Sequence, residues 1–323
     1  MKALNLAPPD QVAVLGSGNM GSGIAQACAQ AGFSVRVRDL TPEQLERGRG
    51  LIARMLDGAV KRGKLTPVER AEVDRRISFT LDLGEAVRSA KLVIEAVFEE
   101  EPLKRGLFLE LAPLVREETI VVTNTSSLSV TRLQAPFPHP GRFAGLHFFY
   151  PAQINKLVEI VGGERTDPAT LETLTAFAYR LRKTPIAVHD AAGFAVNRFF
   201  VPFVNEAARM AQEGLASLAT IEEVGREVTG STNGPFEVMN LTGLPISLHS
   251  MESLESAFGP AYEPSELLEE QVAKAQPWPW REGTVEPERK AAVRERFEGL
   301  LIGIAARLVE EEVATPEAVE TGA

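Results

Sequence analysis

The sequence predicts an α/β domain with a mainly parallel sheet, followed by an all-α C-terminal domain. Three observations lead there. Short β-rich runs alternate with helical patterns as far as Pro185–Val188. The first of those runs enters a glycine-rich turn and then a helix, the start of a parallel crossover unit. From Ala195 the strand patterns stop and amphipathic helices take over. At 323 residues the chain exceeds the usual span of one domain, and the expected division is 1–191 and 192–323.

The first unit reads in order. Gln11–Leu15 (QVAVL) is an apolar strand that meets Gly16-Ser17-Gly18-Asn19-Met20-Gly21. Ile24–Ala31 continues as a helix, and Ser34–Arg38 is a second strand ending at Asp39. Strand, GxGxxG turn, helix, strand and acidic residue form a Rossmann-type dinucleotide unit. Gly16 makes the tight turn, Gly18 lets the backbone approach a pyrophosphate, and Gly21 lets the helix pack against the sheet. Asn19 and Met20 open the helix whose N–H groups and dipole favour an anion. Asp39 would accept from the adenosine ribose hydroxyls and repel a 2′-phosphate, so NAD is expected over NADP; Arg36 and Arg38 share one face of that strand.

Thr41-Pro42 opens a charged helical stretch to about Gly63, with Lys61, Arg62 and Lys64 at its end. Thr66 caps a further helix with Pro67 at its first position. Arg76–Thr80 and Lys91–Ala96 continue the parallel sheet, Glu99–Arg116 is helical, and Thr119–Thr123 is another strand. Ligands of open α/β sheets lie beyond the carboxyl ends of the strands, which brings Glu99 and Asn124-Thr125-Ser126-Ser127 to the cofactor side. The same polar run also suits a helix cap.

Phe143–Phe149 and Lys156–Val161 read as neighbouring strands, one carrying His147 and the other Glu159. A carboxylate beside an imidazole fixes its tautomer and stabilises its protonated form, which suits acid–base chemistry near neutral pH. Two core strands with an incidental His and Glu satisfy the same pattern. Asn197, in VNRFF, is polar in an apolar context at the start of the second domain.

Composition excludes several classes. Hydrophobic content of 44% and charged content of 24% are those of a soluble globular protein. A net charge of −10 disfavours nucleic acid or an anionic membrane as partner. No stretch approaches the ~18 apolar residues of a membrane span. The single cysteine, Cys28, precludes an internal disulfide and fits a reducing, cytoplasmic compartment. No metal site is expected.

Together VLGSGNMGSGIAQ, VIEAVFE, NTSSL, FAGLHFF, KLVEIV, DAAGFAVNR and GPFEVMNLTGL, in this order, resemble the 3-hydroxyacyl-CoA dehydrogenases. The resemblance covers roughly residues 10 to 250. It implies NAD-linked interconversion of L-3-hydroxyacyl-CoA and 3-ketoacyl-CoA. His147 would be the catalytic base, Glu159 its orienting carboxylate, and Ser126 the contact to substrate hydroxyl and nicotinamide. Asn197 would lie near the acyl group, and Glu99 and Lys104 near the cofactor. The Lys61, Arg62 and Lys64 cluster would meet CoA phosphates. Neutral imidazole serves oxidation and imidazolium reduction, so the favoured direction depends on pH. Such proteins commonly pair as homodimers through the helical domain.

Two departures stand out. The family's asparagine after HFF is here Tyr150, which bears on substrate preference. Phe297–Ala323 resembles Val204–Val224, with Ala207-Ala208-Arg209 matching Ala305-Ala306-Arg307 and Leu215-Ala216 matching Val313-Ala314, as if a truncated second helical repeat began there. Two alternatives stay open: a related dehydrogenase of a free hydroxy or sugar acid, as in lambda-crystallin-like relatives, and an NAD-binding protein without turnover.

Overall fold

The computed structural model describes residues 5–322, which divide into two compact units between Asp190 and Ala191. The first unit holds β1 (Gln11–Leu15), α1 (Asn19–Gln30), β2 (Ser34–Arg38), α2 (Pro42–Lys61), α3 (Pro67–Arg75), β3 (Ile77–Thr80), α4 (Leu83–Val87) and β4 (Leu92–Glu95). It continues with α5 (Glu101–Leu111), β5 (Ile120–Thr123), α6 (Val130–Gln134), β6 (Phe143–Phe148), β7 (Leu157–Gly162), α7 (Pro168–Arg180) and β8 (Thr184–His189). The strands form one sheet in the order β3-β2-β1-β4-β5-β6-β7-β8.

Every neighbouring pair is parallel except β6 with β7. The connection from Phe148 to Leu157 is shorter than the roughly dozen residues a parallel crossover needs, so the chain can only turn back. That reversal sets His147 directly opposite Glu159. The central strands are buried on both faces, as continuous apolar runs such as QVAVL and LVIE require. Their core takes in Val12, Val14, Ile24, Phe33, Ile94, Val122, Leu146, Ile160 and Phe177, with the Phe33 and Phe177 rings 5.2 Å apart.

Local sequence accounts for most element ends. Thr41 with Gln44, and Thr66 with Glu69, close reciprocal capping boxes at α2 and α3. The helix expected over Glu99–Arg116 spans only Glu101–Leu111; Ala112 still bonds back to the Phe108 carbonyl, but Pro113 has no N–H with which to continue the ladder. The short helix α4, capped by Asp82, had no counterpart in the sequence reading; its five residues are too few to show a period.

The second unit contains α8 (Val196–Gln212), α9 (Leu218–Thr229), α10 (Pro235–Thr242), α11 (Leu244–Phe258), α12 (Glu266–Lys274), α13 (Lys290–Glu310) and α14 (Pro316–Gly322). Its core groups Phe203, Val204, Ala207, Met210, Ile221, Val224, Phe236, Leu268, Val293 and Phe297 around α8. Among the described residues no helix is long and apolar enough to cross a membrane.

Candidate active site

The glycine turn has the geometry its spacing requires. Gly16 has φ +105°, and a Cβ there would sit 2.4 Å from the Ala96 carbonyl oxygen. A Cβ on Gly21 would lie 2.0 Å from the Gly16 carbonyl oxygen, so α1 can pack this close only without a side chain. Gly18 is different: nothing lies within 4 Å of its missing Cβ, which leaves open the approach a pyrophosphate would use. Gly18 and Asn19 are exposed, and Met20 is half-buried. Gly18 caps α1 without a side-chain bond, so the helix offers its first N–H groups outward.

Asp39 is held at the end of β2. One oxygen accepts from the Ser17 N–H at 2.7 Å and the Ser17 hydroxyl at 2.5 Å, and the other accepts from the Leu40 N–H at 2.8 Å. Arg36 donates to the Glu85 carbonyl and pairs with its carboxylate, and Arg38 donates to the Leu81 carbonyl. Both arginines of β2 are thus engaged elsewhere. The open turn, the outward N–H groups and the aimed carboxylate fit NAD. An Asp39→Ser variant is expected to lose NAD affinity and to narrow the preference for NAD over NADP, as compared by kcat/KM with each cofactor.

Beside the turn lies a buried ionic network. Lys104, fully buried on α5, donates to both oxygens of Glu95 at 2.7 and 2.9 Å and lies 3.1 Å from Glu99. Glu95, also fully buried, takes further bonds from the Thr123 hydroxyl at 2.6 Å and the Val97 N–H at 2.8 Å. Glu99 turns its other oxygen to the polar loop, accepting from the Thr125 hydroxyl at 2.5 Å and the N–H groups of Ser126 and Ser127 at 2.7 and 3.2 Å. Burial opposes ionisation of Glu99, but Lys104 and these donors outweigh it and hold its carboxyl below the usual carboxylate range. Sequence reasoning placed Lys104 with the cofactor ligands and did not single out Glu95. A lone carboxylate closing an apolar strand was the available signal, since such a group demands a buried cation.

The same loop reaches β6. Asn124 accepts from the Phe148 N–H at 2.8 Å, pinning the backbone next to His147. His147 Nδ1 lies 2.7 Å from Glu159 Oε2, the ring being 6% exposed and the carboxylate fully buried. With Nδ1–H donated to the carboxylate, Nε2 is the basic nitrogen of the imidazole. The Phe149 ring packs on His147 at 4.4 Å between centroids. Tyr150, by contrast, is 61% exposed, so the bulkier side chain turns outward.

Lys61, Arg62 and Lys64 are exposed at the end of α2, and among the described residues none of them joins an ion pair. Asn197 lies in the first turn of α8 in the second unit.

Known proteins match this arrangement. The family model described as 3-hydroxyacyl-CoA dehydrogenase, NAD binding domain, covers residues 11–191, and the C-terminal domain of that family covers 193–277. A probable 3-hydroxybutyryl-CoA dehydrogenase of Deinococcus radiodurans is 37% identical over 80% of this chain and 93% of its own. The 3-hydroxybutyryl-CoA dehydrogenase of Clostridioides difficile is 34% identical over 77% of this chain and 88% of its own. The crystal structure of M. tuberculosis FadB2 superposes with a TM-score of 0.81 at 34% identity, covering 85% of this chain and 96% of that one. With a glycine turn built for a dinucleotide and both domain models matched in order, the chain belongs to the 3-hydroxyacyl-CoA dehydrogenase family and is an NAD-dependent enzyme.

Proposed function

We propose that this protein interconverts L-3-hydroxyacyl-CoA and 3-ketoacyl-CoA, as in fatty-acid beta-oxidation, with His147 and Glu159 as its general acid–base pair. The carrying observation is the 2.7 Å contact between His147 Nδ1 and the buried Glu159 carboxylate, on directly paired residues of the NAD-binding domain. Glu159 fixes the tautomer, and Nε2 takes the proton of the C3 hydroxyl or returns it to the ketone oxygen. When bound, NAD supplies hydride acceptance and return. Ser126 orients the reacting oxygen, and the turn that carries it is held by Glu99. Asn197 serves the acyl group, and the unpaired cations Lys61, Arg62 and Lys64 meet the CoA phosphates. Residues 1–191 form the cofactor domain and 192–323 the substrate domain. A reducing cytoplasm suits the one cysteine, Cys28, whose burial pushes its thiol up to about 12.

Tyr150, standing where the family resemblance implies asparagine, supports a second reading in which the substrate is a free hydroxy or sugar acid. One assay separates them. NADH oxidation is expected with acetoacetyl-CoA or longer 3-ketoacyl-CoAs, and none with the free acids. Turnover confined to free acids would establish the second reading; no turnover with either would leave a cofactor-binding protein.

A further inference from the structure

Asp190 is the last residue of the first unit, directly after β8, and belongs to neither the acid–base pair nor the cofactor turn. Its side chain turns back onto the start of α6. One oxygen accepts from the Val130 N–H at 2.9 Å, and the other from the Thr131 N–H at 2.7 Å and the Ser129 hydroxyl at 2.8 Å. Ser129 already caps the same helix, accepting from the Arg132 N–H at 3.2 Å. A helix of five residues is not stable by its own bonds, so α6 depends on such outside acceptors.

The place of α6 connects Asp190 to the reacting groups. Only Leu128 lies between Ser127 and Ser129, so the loop that bears Ser126 ends where Asp190 holds the chain. Val130 is fully buried, and a Cβ on Gly145 would sit 2.9 Å from its Cγ2. Gly145 and His147 share one face of β6, so α6 rests on that strand two residues before the imidazole. The far end of α6 is fixed as well. Buried Gln134 donates to the Pro140 carbonyl at 2.8 Å and to the Thr166 hydroxyl at 3.0 Å.

Glu99 holds the other end of the loop, through the Thr125 hydroxyl and the N–H groups of Ser126 and Ser127. Thr125 Oγ1 in turn accepts from the Leu128 N–H at 2.9 Å. Two carboxylates from different elements thus clamp one short loop, Glu99 from the β4–α5 connection and Asp190 from the end of β8. A loop fixed at one end can pivot; fixed at both, it presents a hydroxyl in one place.

We propose that Asp190 is a positioning residue, which sets Ser126 relative to His147 by anchoring the α6 end of this loop. The inference rests on Ser126 orienting the reacting oxygen.

A double-mutant cycle on the full chain tests it, read as NADH oxidation with acetoacetyl-CoA. Asp190→Asn cannot serve both backbone donors, because either way round one N–H faces the amide nitrogen. It is expected to lower kcat by up to about 10²-fold, the range for a misplacement near 1 Å. In a Ser126→Ala background the same substitution should cost less than about twofold, since the group being positioned is gone. Asp82→Asn, which removes the capping carboxylate of α4, should leave kcat unchanged even where it lowers the melting temperature as much. Hydrogen exchange in the cofactor-free protein gives a readout independent of turnover: residues 124–131 should exchange faster in Asp190→Asn than in wild type or Asp82→Asn. Wild-type kcat or wild-type exchange in Asp190→Asn overturns the proposal, as does an equal loss with and without the Ser126 hydroxyl. A Ser126→Ala enzyme as active as wild type would instead remove Ser126 from the mechanism, and the proposal with it. Should Asp190→Asn not fold, Asp190→Glu keeps the charge but displaces it by one methylene, and the same cycle decides.

Discussion

Replacing His147 by glutamine is expected to lower kcat by about 10²–10⁴-fold while NADH still binds, the range for loss of a positioned general base. Glutamine occupies similar space and can still bond to Glu159, but it cannot take up and release a proton near neutral pH. The cofactor elements, Gly16 to Gly21 and Asp39, lie on other strands and helices and are untouched. Fluorescence titration of NADH should therefore give an affinity close to wild type, alongside little turnover of acetoacetyl-CoA. Wild-type kcat in this variant would remove His147 from the mechanism.

The second large effect is one of stability. Lys104→Met leaves the fully buried Glu95 carboxylate with the Thr123 hydroxyl and Val97 N–H but no cation. Breaking a buried pair from one side typically costs about 3–5 kcal/mol. Replacing both members removes the stranded charge, so Lys104→Met with Glu95→Gln should recover much of that loss. Urea unfolding of the single and double variants measures both quantities. A single variant within 1 kcal/mol of wild type would mean the network carries little. Turnover should fall as well, because Lys104 also faces Glu99, which holds the N–H groups of Ser126 and Ser127.

Much of this could be read from the chain. The glycine spacing, the acidic residue after the second strand and the capping residues act over a few neighbours, so local sequence determines them. His147 and Glu159 were visible as a pair because two short strands joined by a turn must run antiparallel. The role of Glu95 was not visible. Its meaning depends on Lys104, Glu99 and Thr123, which converge from a helix, a loop and the neighbouring strand.

The C-terminal helices show the same division. Similarity between two Ala- and Glu-rich stretches was legible, but it is weak, since many amphipathic helices share that composition. Only the folded chain revealed that Arg198 meets Glu311 as Arg296 meets Glu213. By itself the sequence determined the cofactor turn, the family and the candidate acid–base pair, all carried by residues close in the chain or on adjacent strands. Tertiary structure decided which buried charges meet and how the helical copies face one another, because both depend on side chains far apart in sequence.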